Sequence, residues 1–214
     1  MKKTLLLIAC FTAIAAKAQV TVRPGVRAGL NLSTLTDTDL DTRADFYAGA
    51  FVAIKLAKFY TLQPEINYSR QGAKGKEYYY TNEYDPVAAT YRVNADYAVQ
   101  YLSLGVMNKF NIIDGFHGTV GPTLDFRVGD NFRKYTSERP YDVDFGFNLG
   151  LGYELPMGLT IEARYKLGFV DIFGDNMDDD DEYYYEGDRQ ERARLNSVFQ
   201  IGLSYNFKLT GSTK

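Results

Sequence analysis

Three scarcities limit what this chain can be. Cys10 is the only cysteine among 214 residues, so no intramolecular disulfide can form, and stability must come from the fold itself. His117 is the only histidine, and no nucleophile or acidic partner is placed beside it near an outer rim, so no catalytic set is visible and no enzyme is predicted. Beyond the N-terminus no apolar run approaches the roughly 20 residues of a transmembrane helix, which excludes a helical membrane protein.

The N-terminus has the pattern of a secretory signal peptide. Lys2 and Lys3 precede an apolar stretch over residues 4–16, and Ala16 and Ala18 form a small-x-small cleavage site. We therefore predict a signal peptide at residues 1–18 and one domain at 19–214. The apolar stretch is too short for a membrane anchor. Lipidation at Cys10 is disfavoured because the stretch continues past that cysteine.

The charge balance bears on partners. Cleavage would remove Lys2, Lys3 and Lys17, leaving 21 basic against 27 acidic residues and a net charge of −6. This acidic balance argues against a nucleic-acid partner. The chain also has 19 glycines, 18 tyrosines and 14 phenylalanines, which favours a β protein with a tightly packed interior.

Apolar and polar residues alternate along eight segments, which predicts eight strands. Their ranges are 20–32, 46–56, 59–69, 97–112, 116–128, 143–155, 159–170 and 194–208. In the sixth segment Phe147, Leu149 and Leu151 alternate with Asn148 and Gly150. A soluble lipocalin-like barrel would place the apolar face inside and cover its outer face with Lys and Glu. A polar face rich in Gly and Asn instead favours a barrel whose apolar face meets lipid.

The connections between these segments alternate in length. Short turns follow the second, fourth and sixth segments, and long loops follow the first, third, fifth and seventh, as in outer-membrane barrels. Aromatic residues lie on the apolar faces at both ends. Beside the short turns these are Tyr60, Phe110, Phe116, Tyr153, Tyr205 and Phe207, and beside the long loops Phe46, Tyr68, Phe126, Phe145 and Phe169. Pro64 and Pro122 fall within strands, where we expect bulges or local ladder breaks.

Together these patterns predict an all-β protein of the outer membrane. The expected architecture is an eight-stranded antiparallel up-and-down transmembrane β-barrel with short periplasmic turns and long outer loops. Outer-membrane lipid and lipopolysaccharide would surround it, and the barrel-assembly machinery would insert it. No cofactor is expected.

The polar faces carry charges that would point into the barrel: Glu65, Lys109, Asp125, Arg127, Asp144, Glu154, Glu162, Arg164 and Lys166. Eight strands leave an interior just wide enough for side chains to fill, so we predict a packed network of paired charges. Arg127 and Asp144 lie at mirrored positions across the connection near Tyr135 and are predicted to form an ion pair. The alternative to a packed network is that the inward charges line a narrow channel through the barrel.

The long loops hold two further groups of residues. Two tyrosine clusters are either contact surfaces for a ligand or a protein partner, or parts of hairpins that continue beyond the membrane and stack their rings: Tyr78, Tyr79, Tyr80 and Tyr183, Tyr184, Tyr185. An acidic run, Asp178, Asp179, Asp180, Asp181 and Glu182, is a weak candidate for binding divalent cations. Asp37, Asp39 and Asp41 do not begin an EF-hand, because Thr42 and Ala48 replace its glycine and glutamate.

Several motifs, in their order and spacing, resemble the outer-membrane β-barrel domain of the PorT family. They lie at 25–33, 62–72, 121–122, 150–155 and 161–168, and Gln200, Gly202, Tyr205 and Phe207 resemble the terminal-strand signal for barrel assembly. Two features depart from the family: the chain continues to Lys214, and Gly105 stands where proline is frequent. The resemblance implies location and architecture, and it implies that mid-strand prolines recur in the family. The name-giving member belongs to a secretion system.

These observations predict a filled barrel that acts through its outer loops in surface binding, adhesion or a structural role. A partner-binding component of a protein secretion system (type IX-like) and a narrow channel are the alternatives.

Overall fold

The structure is a computed structural model that describes residues 20–36, 38, 40–80, 90–135, 140–170 and 194–208, with the side chains of 77–80 and 90–93 not described. The predicted signal peptide lies outside these residues. Eight antiparallel strands pair in sequence order, and the first also pairs with the last, which closes the barrel. Their bounds are β1 Thr21–Leu35, β2 Asp41–Lys55, β3 Tyr60–Tyr80, β4 Thr90–Ile113, β5 Phe116–Asp130, β6 Val143–Glu154, β7 Leu159–Gly168 and β8 Asn196–Asn206.

The two faces of the strands are distributed as the sequence predicts. Along β6 the side chains of Phe145, Phe147 and Leu149 are exposed on the outer surface, whereas Asp144 and Asn148 are buried inside. The same pattern continues round the barrel, whose outer surface is therefore apolar. Among the described residues no helix has the length and apolar character to cross a membrane.

Aromatic side chains pair at both ends of the apolar surface. Tyr60 lies 5.4 Å from Phe110, and Tyr205 lies 5.4 Å from Phe207, measured between ring centroids, beside the short turns. At the other end Phe46 pairs with Tyr68 and Phe145 with Phe169, both at 5.9 Å. Amphipathic or aromatic rings at these two levels mark the membrane–water interfaces of a barrel.

Asn108 interrupts the apolar face of β4, and the structure shows how its amide is satisfied. The hydroxyl of Tyr60 donates a hydrogen bond of 2.8 Å to Asn108 Oδ1, and Asn108 Nδ2 donates to the Val120 carbonyl at 3.2 Å. Each polar group that faces lipid must find its partner within the protein, and both halves of this amide do so.

Two of the short turns depend on glycine. Gly115 and Gly158 have φ angles of +77° and +92°, a left-handed region that side chains with a Cβ rarely adopt. Both turns fall where the sequence predicts them, and their glycines allow the tight connections from β4 to β5 and from β6 to β7.

β3 and β4 extend far beyond the predicted ends at Ser69 and Tyr97. Their pairing runs without interruption from Tyr60 opposite Phe110 to Tyr80 opposite Thr90, across most of the predicted loop 70–96. The predicted loop was wrong because the strand prediction required an apolar face, whereas the alternative that a hairpin holding Tyr78, Tyr79 and Tyr80 continues beyond the membrane is confirmed. Outside the membrane the strands are surrounded by water, so no face of the hairpin has to be apolar, and backbone pairing continues without the alternating pattern.

Pro64 and Pro122 cause ladder breaks and no bulges. The β3–β4 register runs straight through Pro64, and the β5–β6 register runs straight through Pro122. On the other side of each strand the pairing is interrupted without a register shift, between Phe51 and Ile54 of β2 and between Gly105 and Asn108 of β4. A strand residue directs its N–H toward one neighbour, so proline weakens the ladder on that side alone.

We expect the folded barrel to resist SDS, because a closed ladder leaves no free edge within the membrane. An unboiled sample should therefore migrate differently from a boiled one in gel electrophoresis, without any reducing-agent dependence. The same mobility for both samples after refolding in several detergents would contradict the closed ring.

Candidate functional site

Four buried side chains from three strands form an ion-pair network at the centre of the barrel. Arg27 of β1 contacts Glu65 at 3.0 Å and Glu162 at 2.8 Å. Arg164 of β7 contacts the same two carboxylates at 2.9 Å and 3.2 Å. The four side chains are at most 5 % exposed, and their formal charges cancel. Pairing of this kind is what offsets the cost of removing charges from water.

Neutral polar groups complete the network. Tyr47 Oη accepts a bond of 3.3 Å from Arg27, whose guanidinium lies 4.7 Å from the centre of the tyrosine ring. Gln63 and Asn67 donate to Glu65 at 3.3 Å and 3.2 Å. These bonds fill the remaining acceptor positions of the Glu65 carboxylate, so the network is a tightly packed layer of side chains across the lumen.

Glycine provides the room for these long side chains. A Cβ at position 150 would lie 2.6 Å from Arg164 Cγ, and one at 202 would lie 2.2 Å from the hydroxyl of Tyr47. Gly150 and Gly202 therefore leave the space that Arg164 and Tyr47 occupy. The sequence indicated tight packing, and these contacts give its location.

A second charged cluster lies nearer the long loops. Lys166 forms an ion pair with Asp125, and its Nζ lies 5.7 Å from the ring centre of Tyr101. Asp144 stands directly opposite Asp125 in the β5–β6 register and accepts a bond of 3.2 Å from the backbone N–H of Val170. The cluster holds one lysine and two carboxylates, all of them buried.

The predicted ion pair of Arg127 with Asp144 is wrong. Arg127 instead pairs with Asp130 and Asp142 at the rim, where the Asp142 side chain is 82 % exposed. The register places Asp125, not Arg127, opposite Asp144. The predicted pairing assumed that the β5–β6 hairpin is centred one residue later in the chain than it is. A shift of one residue in the centre of a hairpin changes the residue that lies opposite any given position by two.

We expect Arg127→Met to cost about 1–2 kcal/mol of unfolding free energy, less than the loss of a fully buried pair, because the Asp142 side chain is 82 % exposed while those of Arg127 and Asp130 are 16 % and 14 % exposed. Urea unfolding in detergent micelles measures this. A loss of several kcal/mol would show that Arg127 belongs to the buried interior after all.

An apolar cluster closes the lumen at the long-loop end. It consists of Leu35, Ala73, Ala95, Tyr97, Val99, Tyr101 and Phe132, with Leu40 and Tyr135 packed against it. Phe132 belongs to a short 3₁₀ helix, Phe132–Lys134, in the connection between β5 and β6, and its ring centroid lies 4.7 Å from that of Tyr97. This cluster was missed in the sequence, because only Ala95, Tyr97, Val99 and Tyr101 alternate along one strand, while its other members come from three separate segments.

The short-turn end is open by comparison. Lys109 and Glu154 form an ion pair of 3.0 Å there, and His117 is buried with Nδ1 3.3 Å from the Gly115 carbonyl oxygen. Beside them a recess of about 480 Å³ opens between the turns. Among the described residues, buried side chains thus cross the lumen in the middle and near the long loops, and the recess indents it from the opposite end.

Residues 17–174 match the family described as outer membrane protein beta-barrel domain, which is most of the chain. The chain belongs to this family. It is therefore an outer-membrane β-barrel protein, and the short turns of such barrels face the periplasm. No protein with a curated description matches the chain significantly.

Several solved structures are similar. The attachment invasion locus protein Ail of Yersinia pestis has 10 % identity and a TM-score of 0.44, with 87 % of this chain and 97 % of that chain covered. Neisserial surface protein A has 10 % identity, a TM-score of 0.46 and the same coverages. OprG of Pseudomonas aeruginosa has 12 % identity and a TM-score of 0.47, with 89 % and 98 % covered.

Most of the predicted inward charges of this outer-membrane barrel lie in its interior. Seven are buried there: Glu65, Lys109, Asp125, Asp144, Glu162, Arg164 and Lys166. Arg127 and Glu154 lie at opposite rims and are partly exposed. The sequence analysis did not count Arg27 among the inward charges. Its alternation with the apolar residues of β1 places it on the same polar face as Asn31, so the sequence contained the signal that it points inward.

The loop predictions are only partly within the described residues. The backbones of Tyr78, Tyr79 and Tyr80 belong to β3, while their side chains are not described. Tyr183–Tyr185 and the acidic run from Asp178 to Glu182 lie outside the described residues, so their roles stay predictions. Within the described part of the chain, no group of three or more His, Cys, Asp or Glu side chains could hold a metal ion.

Proposed function

We propose that this outer-membrane barrel acts as a surface-binding or adhesion-type protein through its long-loop end, and that it is neither a channel nor an enzyme. The observation that carries the proposal is the long β3–β4 hairpin. From Tyr68, in the aromatic level at the outer interface, β3 continues to Tyr80, which is 12 residues further. At about 3.3 Å per residue the hairpin rises roughly 40 Å along its own axis.

The base of the hairpin is firmly held. Ala73, Ala95 and Tyr97 belong to the buried apolar cluster, together with Leu35 at the end of β1 and Phe132 in the connection between β5 and β6. Arg43 of β2 also forms an ion pair with Asp96 of β4. A two-stranded hairpin alone is marginally stable in water, so these contacts at its base are what allow it to project in one orientation.

The filled lumen supports a binding role over transport. The central network and the apolar cluster both lie across the path that a solute would take. Eight-stranded barrels leave no aqueous lumen when side chains fill them. The resemblance to the PorT family is compatible with this role and adds the hypothesis that the binding partner is a protein.

Truncation of the hairpin tests the proposal. Residues 76–94 are replaced by Asn-Gly, a two-residue turn that joins Gly75 to Ala95, which are paired in the native register. Cells that produce the full-length or the truncated protein are compared for attachment to bare, mucin-coated and collagen-coated glass. We expect a several-fold loss of attachment to at least one surface.

Two controls are needed. The amounts in the outer membrane must match, and both proteins must show the same heat-dependent gel shift, because the barrel itself is unchanged below Gly75. Equal attachment of both cell types to all three surfaces would contradict a binding role for the hairpin.

A further inference from the structure

The periplasmic mouth of the barrel carries cations that no ion pair accounts for. Arg23, Lys55 and Lys58 line the recess between the short turns, and all three are exposed. Within the part of the chain that the structure describes, none of the three forms an ion pair, whereas Lys109 at the same recess is neutralised by Glu154. Asp114 is the other acid of the lining, which leaves an excess of two positive charges.

This concentration of positive charge contrasts with the rest of the protein. The sequence after the predicted signal peptide has six more acidic than basic residues, so the mouth has the opposite sign to the chain as a whole. The three cations also lie near one another, because the pairing of β1 with β2 and the turn after β2 place them at the same end of neighbouring strands. Lys55 pairs with Thr21 in the β1–β2 register, Arg23 lies two residues further along β1, and Lys58 belongs to the turn after β2. Cations held in a recess attract anions more strongly than cations on a flat surface.

One buried amide oxygen at the recess also accepts no hydrogen bond within the described part of the chain. Asn206, at the end of β8, lines the recess and is 5 % exposed. Its Oδ1 accepts no hydrogen bond from any described residue. A buried acceptor left without a donor costs free energy, and a ligand that supplies an N–H would remove that cost.

From these two features we infer that the periplasmic mouth is a docking site for an extended acidic segment of a periplasmic protein. Such a segment brings carboxylates for Arg23, Lys55 and Lys58, and backbone N–H groups for Asn206. Ala53, Ile113 and Pro156 give the recess an apolar wall against which a peptide backbone can pack. A bare anion has no N–H to offer. This site lies at the opposite end from the β3–β4 hairpin and is independent of its function.

The test uses the full-length protein in zwitterionic detergent micelles and a fluorescein-labelled decapeptide of alternating Glu and Gly. The mouth variant combines Arg23→Gln, Lys55→Gln and Lys58→Gln. The control variant combines Lys74→Gln, Lys76→Gln and Lys134→Gln, which removes the same charge from exposed positions at the other end. Fluorescence anisotropy gives the affinities, and the heat-dependent gel shift verifies that each variant folds.

We expect the wild type and the control variant to bind the peptide alike, and the mouth variant to bind it about tenfold more weakly, because three solvated ion pairs are lost. A decapeptide with Gln in place of Glu should bind weakly to all three proteins. Equal affinity of the mouth and control variants for the Glu peptide would overturn the proposal. The proposal would also be overturned if the mouth substitutions weakened binding to phosphatidylglycerol micelles and left binding of the Glu peptide unchanged, because the recess would then be a lipid site.

Discussion

Arg164→Met is expected to destabilise the barrel by about 3–5 kcal/mol, the largest effect we predict for one substitution. Arg164 contacts both Glu65 and Glu162, and its side chain is 2 % exposed. Its removal leaves two buried carboxylates with one remaining cation, Arg27. A buried charge that loses its partner keeps the full cost of its desolvation, which is why removing one member costs more than the pair contributes.

A compensating substitution separates this charge effect from a loss of packing. Arg164→Met combined with Glu65→Gln leaves the neutral pair of Arg27 and Glu162, which are 2.8 Å apart, and keeps an acceptor for Gln63 and Asn67. We expect the double variant to recover much of the loss. Urea unfolding in lipid vesicles, followed by the gel shift because the chain has no tryptophan, measures both. A double variant as unstable as the single one would show that packing, and not charge pairing, holds this layer.

Leu149→Arg is expected to cost about 2–4 kcal/mol when the barrel is folded in lipid. Leu149 lies mid-strand on β6 with 64 % of its surface exposed on the outer face, between Val120 of β5 and Tyr165 of β7. At this depth a guanidinium would face hydrocarbon, where neither water nor a carboxylate can stabilise it.

Asn148→Ala is the matched control, because it changes the adjacent residue on the opposite face. Asn148 is buried and donates one long bond of 3.3 Å to Thr123, so we expect a cost of about 1 kcal/mol. Unfolding of both variants in the same vesicles gives the comparison. A small effect of Leu149→Arg beside a large one of Asn148→Ala would place the apolar face away from lipid.

The membrane-spanning part of the fold was predictable because lipid imposes a strict rule on it. Every second residue of a strand must be apolar where it meets hydrocarbon, and β6 obeys this from Val143 to Leu151. Strand number, turn positions and both aromatic levels follow from that periodicity. The extension of β3 and β4 to Tyr80 and Thr90 could not be found in the same way, because pairing in water places no such demand on side chains.

The candidate site was predictable in composition and much less in geometry. Because side chains alternate between the two faces of a strand, the sequence identifies which charges point inward, and it does so correctly for Glu65, Glu162 and Arg164. Which charges meet depends on register, and register across a connection cannot be counted from its midpoint when the connection holds irregular structure such as Phe132–Lys134. That is why Asp144 lies opposite Asp125 rather than Arg127.

Planar-bilayer recording tests the central claim, that this outer-membrane barrel has a sealed interior, most directly. The purified full-length protein is inserted at low protein density, and current is recorded over a range of voltages in concentrated KCl. Because the network of Arg27, Glu65, Glu162 and Arg164 and the apolar cluster around Phe132 both cross the lumen, we predict no stable single-channel steps. Reproducible openings of one defined conductance, present in the wild type and absent from empty bilayers, would contradict the filled barrel.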